Sequence, residues 1–343
     1  MKKITLLLLV LVFILSACAS SLEKVQKVVE TVIVEAEPEV SVFREAQDGK
    51  PFRYTHWGNF HPVYKIMGAG FLQACEDYGL ICELTNTDDF DDAKLIAMME
   101  TLNTDNTSGI VTGMYFPSRW EAGITAINKG IPVVGDHVPV LDRENVPGLV
   151  AWSAPDIIEF ARNAGIAMAE KLECAGPVAN SQSQLAENES VITDNFREAF
   201  LGVCPDTEVL ETRALGLELS DSIPNAAAII TAHPDLVGAF SATGDGAQSW
   251  AKAAQERGKE AGEIVIVGMD YTRPNLDLVK SGEVWMLVGQ PLYEEMYYSV
   301  VLLANHLLGI PVPYGNYLPA PQVTLENIDQ FYAINDFAES IGE

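Results

Sequence analysis

Short apolar segments alternate with amphipathic segments along the chain from Pro51 onward. The apolar runs predict strands at 52–58, 109–114, 131–136, 148–153, 177–183, 207–213, 236–243, 264–270 and 284–290. Between them, apolar positions at helical spacing predict helices at 63–78, 91–103, 118–129, 155–173, 193–203, 224–232, 246–257, 274–281 and 293–308. Fully apolar strands that alternate with amphipathic helices are typical of parallel sheets covered on both faces. The predicted fold class is therefore α/β with doubly wound parallel sheets.

The N-terminal segment has a different pattern, typical of export. Lys2 and Lys3 precede an unbroken apolar run from Ile4 to Leu15, which is shorter than the roughly 20 residues that span a bilayer. Residues 1–17 therefore read as a removable signal peptide. The order Leu-Ser-Ala-Cys at its end resembles the lipobox of bacterial lipoproteins, in which the cysteine, here Cys18, is lipidated and becomes the mature N-terminus. The alternative is an ordinary signal peptide followed by a chance cysteine.

Residues 18–50 carry scattered charge and no sustained apolar period, and we interpret them as a lipid-anchored tether that contains at most a short helix near 22–34. The remaining length predicts about two domains. A composition with 48% hydrophobic residues can fill their cores.

The charge balance excludes one class of function. The chain has 48 acidic against 21 basic residues and a formal net charge of −27. A surface of that sign repels nucleic acid and anionic lipid headgroups. We expect no nucleic-acid partner, and membrane contact only through the lipid on Cys18.

Four cysteines remain once Cys18 is assigned to the lipid: Cys75, Cys82, Cys174 and Cys204. An even number outside the cytoplasm favours disulfides, although three connectivities and four free buried thiols are all open. We prefer the local pairs 75–82 and 174–204, because each joins the ends of neighbouring predicted elements. The absence of a CxxC pair disfavours zinc.

Polar residues stand where several apolar strands end: Asp136, Thr243, Asp245, Asp270 and Gln290. Ligands of such sheets bind outside the carboxyl ends of the strands. One or two of these residues could instead serve as helix N-caps. The number of such endings favours a polar cleft.

Catalytic motifs are missing from this pattern. The loop after the first strand lacks GxGxxG, and the chain has neither a GxxxxGK[ST] nor a GxSxG sequence. His56, His61 and His137 fall near strand ends, but without the spacing of a metal motif. We expect a binding cleft with no catalytic residue, cofactor or metal.

The order of segments over about residues 52–337 resembles the type I periplasmic binding proteins, in particular the ribose-type sugar-binding lipoproteins of ABC importers. The local matches are DDFDDAKLIAMMETL (88–102), GIPVVGD (130–136), TAHPDLVGAF (231–240), EIVIVGMDYTRPNLDLVKSGEVWMLVGQ (263–290) and YEEMYYSVVLLANHLLG (293–309). LacI-type repressors share this fold, but they begin with a basic DNA-binding headpiece where this chain has an export signal and an acidic tether.

The resemblance implies two α/β lobes joined by three crossovers that form a hinge. Lobe one would comprise 51–150 and 291–320, and lobe two 151–290 and 321–343. Asp270 and Gln290 match family residues that hydrogen-bond sugar hydroxyls, and Asp136 matches the aspartate after IPV, with a register one residue shorter.

Other implied ligand positions differ from the family pattern. His137 and Asp194 or Asn195 stand where the ribose binders have arginines, and Thr243 and Asp245 bracket a ligand asparagine. The first-loop sequence His61-Pro62-Val63-Tyr64 keeps one aromatic platform, Tyr64, and either Trp57 or Phe60 could supply a second.

The two missing arginines imply a ligand other than ribose. The sequence therefore predicts a monomeric extracytoplasmic receptor that delivers a neutral monosaccharide or polyol to an ABC permease. Alternatives are the same fold with a nucleoside or signalling furanose as ligand, and an exported α/β enzyme.

Overall fold

The computed structural model describes residues 40–58, 61–89, 91–103, 106–183 and 187–341. Cys18, the predicted signal peptide and the predicted helix near 22–34 lie outside these residues. Within the described ranges no helix is both long enough and apolar enough to cross a membrane.

The chain forms two sheets, each flanked by helices. The first lobe contains α1 (Val40–Ala46), β1 (Phe52–His56), α2 (Pro62–Asp77), β2 (Cys82–Asn86), α3 (Asp92–Leu102), β3 (Gly109–Gly113), α4 (Pro117–Asn128), β4 (Val133–Asp136) and β5 (Ala151–Pro155). The second lobe contains α5 (Ile157–Leu172), β6 (Val178–Gln182), α6 (Glu187–Val203), β7 (Arg213–Ala214), α7 (Leu219–Ala232), β8 (Gly238–Ser241), α8 (Gly246–Glu256), β9 (Val265–Met269), α9 (Arg273–Ser281) and β10 (Met286–Val288). The chain then adds α10 (Leu292–Leu307) and β11 (Gly315–Leu318) to the first lobe, and β12 (Gln322–Val323) to the second, before α11 (Ile328–Ile341).

The sheet topology is that of two doubly wound units. The first sheet has the order β11-β5-β4-β3-β1-β2, and all its described pairs are parallel. The second has the order β12-β10-β9-β8-β6-β7, with β12 alone antiparallel to its neighbour. The predicted fold class, α/β with doubly wound parallel sheets in two lobes, is confirmed.

Each sheet is covered by apolar side chains from its helices. In the first lobe Phe52, Tyr54 and Phe71 are fully buried. In the second lobe Phe196 of α6 stacks on Phe240 of β8 with ring centroids 4.1 Å apart. These packed layers hold the strand ends, and therefore the site, at fixed positions.

The chain passes between the lobes three times, at Asp156, at 289–291 and at 319–321. The crossovers are hydrogen-bonded to one another. Asp156 N donates to Leu318 O at 3.3 Å, and Gly289 N donates to Pro321 O at 2.7 Å. The three connections therefore lie side by side.

The boundary between the lobes differs from the predicted one. β5, assigned from the sequence to lobe two, pairs in parallel with β4 and β11 of the first sheet. The division therefore falls at Asp156 and not at residue 151. Its apolar strand pattern fits either sheet, so the sequence carried no signal for this choice.

Part of the predicted tether belongs to the folded body. Phe43 of α1 is 2% exposed and packs edge-on against Tyr78, with ring centroids 5.2 Å apart. The Gln47 amide exchanges hydrogen bonds with the backbone of Ile81, at 2.9 and 2.8 Å. The folded body therefore begins by Val40, and not at residue 51.

The cysteines outside the N-terminal segment form two bridges, Cys75–Cys82 and Cys174–Cys204. This is the connectivity preferred from the sequence. The first bridge ties the end of α2 to the start of β2, and the second ties the loop after α5 to the loop after α6.

Candidate functional site

A cavity of about 870 Å³ lies between the two lobes at the carboxyl ends of the strands. Its lining includes most of the predicted ligand residues: Trp57, His61, Tyr64, His137, Thr243, Asp245, Asp270 and Gln290. The first four come from the first lobe and the next three from the second, while Gln290 lies on a crossover. Residues distant in sequence thus converge because parallel strands end at one edge of each sheet.

Four predicted residues are not in this lining. Asp136 lies at the end of β4 and is only 1% exposed. Asp194 is exposed, and Asn195 donates its amide to Val191 O at 2.8 Å within its own helix. Phe60 lies outside the described residues.

The misplacement of Asp194 and Asn195 has a simple physical cause. α6 begins at Glu187, six residues before the predicted start, because its polar first turn carries no apolar period. The helical face toward the cavity is therefore formed by Glu189 and Ile192, which are three residues apart. Asp194 follows on another face of the helix, and Asn195, three residues after Ile192, lies one turn further along the helix and outside the lining.

Asp270 is held in a fixed conformation at the end of β9. Its backbone is left-handed, with φ of 61°. The Asn275 amide secures this turn by donating to Gly244 O at 2.7 Å and to Asp270 O at 3.1 Å. Gln290 Nε2 donates to Asp270 Oδ1 at 2.8 Å, so a crossover residue is joined directly to the carboxylate. Burial raises the pKa of Asp270 above its usual range.

Glycine is needed at position 244 beside this carboxylate. A Cβ atom there would lie 2.8 Å from Asp270 Oδ2. Any larger residue would push Asp270 Oδ2 out of its position, so the close approach of this loop to the Asp270 turn requires a residue without a side chain.

The alternative role of these polar residues as helix caps does not account for them. Asp245 occupies the N-cap position of α8, but its side chain makes no capping hydrogen bond. Its Oδ1 accepts from Gln248 Nε2 at 3.2 Å. The N-cap of α9 is Thr272, two residues beyond Asp270. Both carboxylates face the cavity instead.

A buried charge cluster adjoins the first-lobe wall of the cavity. His137 Nδ1 donates to Glu295 Oε1 at 2.7 Å, and Glu295 on α10 is fully buried. Although burial alone lowers it, the nearby Glu295 carboxylate raises the pKa of His137 to about 9, which makes it a cation at neutral pH. Its side chain thus supplies a positive charge where the resemblance has an arginine.

Asp136 belongs to the same cluster. Burial, followed by repulsion from Glu295, raises the pKa of Asp136 to about 8. Its Oδ2 atom has no hydrogen-bond partner among the described residues. At neutral pH this carboxyl group therefore holds a proton and can act as a hydrogen-bond donor as well as an acceptor.

Aromatic rings form one wall of the cavity. Trp57 and Tyr64 contact each other edge-on with ring centroids 5.7 Å apart. Phe116, which is 47% exposed, adds a third ring from the loop after β3. Sequence reasoning missed Phe116, although it follows a strand end just as Asp136 and Asp270 do.

The cavity lining is strongly acidic. Its carboxylates are Asp88, Asp89, Asp92, Glu189, Glu218, Asp245 and Asp270. No lysine or arginine is among its described residues. Five of these acids were not predicted from the sequence, because they lie on loops and helix starts where acidic residues are common on any surface.

Of the three histidines near the strand ends, His61 and His137 line the cavity, whereas His56 does not. His56 is buried in β1, with Nδ1 directed at Trp57 O, and burial lowers its pKa to about 4. Within the described residues no group of three or more histidine, cysteine or acidic side chains could hold a metal ion.

Solved structures share this two-lobed fold. A sugar-binding protein of a sugar ABC transporter from Bacillus halodurans aligns with a TM-score of 0.76 and 22% identity, over 82% of this chain and 100% of that one. A periplasmic solute-binding protein from Actinobacillus succinogenes with bound D-allose aligns at 0.75 and 17% identity, over 82% and 100%. Another from Bacillus halodurans with bound myo-inositol aligns at 0.71 and 17% identity, over 83% and 98%.

No curated protein matches the sequence significantly. The family model described as a periplasmic binding protein domain matches residues 57–311, which include the cavity and all three strand ends that supply Asp136, Asp270 and Gln290. With the two parallel sheets, the triple crossover and the cavity between the lobes, this match shows that the chain belongs to the periplasmic binding protein family.

Proposed function

We propose that this chain is an extracytoplasmic receptor that binds a neutral monosaccharide or polyol and delivers it to an ABC importer of the ribose type. The observation that carries the proposal is the cavity between the lobes, which combines aromatic rings with carboxylates and has no lysine or arginine in its described lining. The sugar and inositol complexes of proteins with the same fold support it.

The chemistry of the lining suits a polyhydroxylated ring. Sugar rings present CH faces that pack on aromatic side chains such as Trp57 and Phe116. Their hydroxyl groups donate to carboxylates such as Asp270 in charge-assisted hydrogen bonds. An anionic ligand would instead meet several like charges in a partly desolvated site, which is costly, and the His137 imidazolium is already paired with Glu295.

Ligand binding also provides a cause for closure of the cleft. Tyr64 and His137 approach the cavity from the first lobe, and Asp270 from the second. A ligand that contacts both sets gains contacts in the closed form that the open form lacks, and only such differential affinity shifts the equilibrium. The closed receptor with bound ligand is the form that we expect to dock on the permease.

We expect neutral sugars or polyols to stabilise the protein and their anionic counterparts to leave it unchanged. A ligand at about 100 times its Kd is expected to raise the melting temperature by about 5 °C. The measurement is a thermal-shift screen of matched pairs: D-glucose with D-glucuronate and glucose 6-phosphate, D-ribose with ribose 5-phosphate, and myo-inositol with inositol phosphate. Stabilisation by only the acids or phosphates would contradict the proposal.

We propose that Cys18 carries the lipid that anchors the receptor on the outer side of the cell membrane. Replacement of Cys18 by serine removes the thiol that is acylated, so the protein is expected to leave the membrane fraction or to remain unprocessed. Cell fractionation with mass spectrometry of the N-terminus measures both. A C18S protein that is still cut after Ala17 and still sediments with membranes would show that the anchor lies elsewhere.

A further inference from the structure

Arg119 is a buried cation directly behind the aromatic wall of the cavity. It lies in the first turn of α4, and only 1% of it is exposed. Its guanidinium carbon is 4.2 Å from the ring centroid of Trp57, 4.7 Å from that of Tyr115 and 5.9 Å from that of Phe116. Distances within about 6 Å are those of cation–π contacts.

Two hydrogen bonds fix the guanidinium in this place. Nε donates to Asp92 Oδ1 at 2.5 Å, and Nη1 donates to Gly113 O, at the end of β3, at 3.2 Å. Nη2 is buried and has no hydrogen-bond partner among the described residues. The charge at this position is therefore stabilised by the Asp92 carboxylate and by the flanking aromatic rings together.

The contact between Arg119 and Trp57 connects a buried side chain to the surface of the cavity. Trp57 and Asp92 line the cavity, whereas Arg119 does not. Trp57 lies beyond the end of β1, in a stretch where the regular backbone pairing of the strand has ended. The orientation of its ring therefore depends on side-chain neighbours, which include Tyr64, Tyr115 at 5.2 Å between centroids, and Arg119.

We propose that Arg119 is a positioning residue of the ligand site, whose guanidinium holds the Trp57 ring in the orientation that it presents to a sugar. The inference rests on the proposed function, because it assigns Trp57 the role of a stacking platform. Holding a ring in place before binding lowers the ordering cost of association. Loss of the Arg119 guanidinium is expected to weaken sugar binding without removing any atom that touches the sugar.

The test follows Trp57 and sugar binding separately. The fluorescence of Trp57 is obtained as the difference between the wild type and Trp57→Phe, and the same difference is taken within each variant background. In Arg119→Leu the acrylamide quenching constant of Trp57 is expected to rise at least twofold. The Kd for whichever of D-glucose, D-ribose or myo-inositol the wild type binds is expected to rise about tenfold.

Further variants separate the loss of the contact between Arg119 and Trp57 from a general destabilisation of the fold. Arg119→Lys keeps a cation but not the planar fork, and is expected to give an intermediate Kd and intermediate quenching. Asp92→Asn leaves Arg119 in place and weakens its anchor, so it is expected to shift both readouts in the same direction. Arg197→Leu removes a guanidinium that donates to Val209 O and Leu210 O in the other lobe, and is expected to change neither.

Unchanged quenching of Trp57 in both Arg119→Leu and Asp92→Asn would overturn the proposal. So would increased quenching with an unchanged Kd, since the ring would then be held without consequence for the ligand. If Arg119→Leu fails to fold, Arg119→Lys decides by both readouts and Asp92→Asn by the quenching alone, since Asp92 itself lines the cavity. If the wild type binds none of the three sugars, the proposed function loses its support, whereas the quenching data still decide whether Arg119 holds Trp57.

Discussion

Replacement of Asp270 by alanine is expected to weaken sugar binding at least 30-fold, equivalent to about 2 kcal/mol. The carboxylate lines the cavity on a turn that Asn275 and Gln290 hold in place. Its loss leaves ligand hydroxyls without an acceptor at a buried position, and also removes the partner of Gln290 Nε2. Isothermal titration calorimetry with a sugar that stabilises the wild type measures the change.

Two controls separate the carboxylate from the backbone. Asp270→Asn keeps a residue that tolerates a left-handed backbone but removes the charge, so it is expected to lose a large part of the same affinity. Asp235→Ala removes an exposed carboxylate before β8, at the opposite end of that strand from the cavity, and is expected to bind normally. An Asp270→Ala protein that binds within twofold of the wild type would remove Asp270 from the ligand site.

Replacement of Glu295 by glutamine is expected to destabilise the protein by about 3 kcal/mol at neutral pH. Glu295 is fully buried, and its carboxylate is the partner of the His137 imidazolium. Glutamine preserves the shape of the side chain but leaves the imidazolium in a buried site without its counter-charge. The free energy of unfolding from urea titration measures the effect. Glu198→Gln, in an exposed ion pair with Arg162 at 3.4 Å, is the matched control and is expected to change it by less than about 1 kcal/mol.

The same pair predicts a pH dependence of stability. The pKa of His137 is raised from 6.5 to about 9, so its contribution is fully present below about pH 6.5 and is lost as pH rises through 9. The pKa of Asp136 is raised from 3.8 to about 8, so between these values the folded state holds a proton that the unfolded state has lost. The stability that this proton contributes also decreases as the pH rises toward 8. The melting temperature is therefore expected to fall from pH 6 to pH 9. In Glu295→Gln the slope is expected to be smaller, and an equal slope in both proteins would contradict this assignment.

Much of the fold could be predicted because apolar strands and amphipathic helices have different periods. The unpredicted segments include α11 (Ile328–Ile341), and several of the others have weak or ambiguous periods. β11 and β12 are four and two residues long at sheet edges, and α1 is anchored mainly by a single buried phenylalanine, Phe43. The sheet to which β5 belongs depends on pairing partners far along the chain, which no local pattern encodes.

The site was predictable where backbone topology alone brings residues together. Asp270 and Gln290 follow buried strands, and the carboxyl ends of parallel strands lie at the same edge of the sheet. Residues on helices were harder to place: the first turns of α6, which the sequence did not predict as helical, supply Glu189 and Ile192 to the cavity and leave Asp194 and Asn195 outside its lining. Arg119 could not be found from the sequence, because an arginine in the first turn of an amphipathic helix reads as a solvated residue until its aromatic neighbours are known.

The most direct test of the proposed function is to identify the small molecule that the protein carries when it is purified without added ligand. The protein would be denatured after extensive washing, and the released compounds identified by mass spectrometry against a parallel preparation of Asp270→Ala. The wild type is expected to release a neutral polyhydroxylated compound of monosaccharide size, unchanged, and the variant is expected to be depleted of it. An anionic sugar, a nucleoside, or a compound that the protein converts during incubation would contradict it.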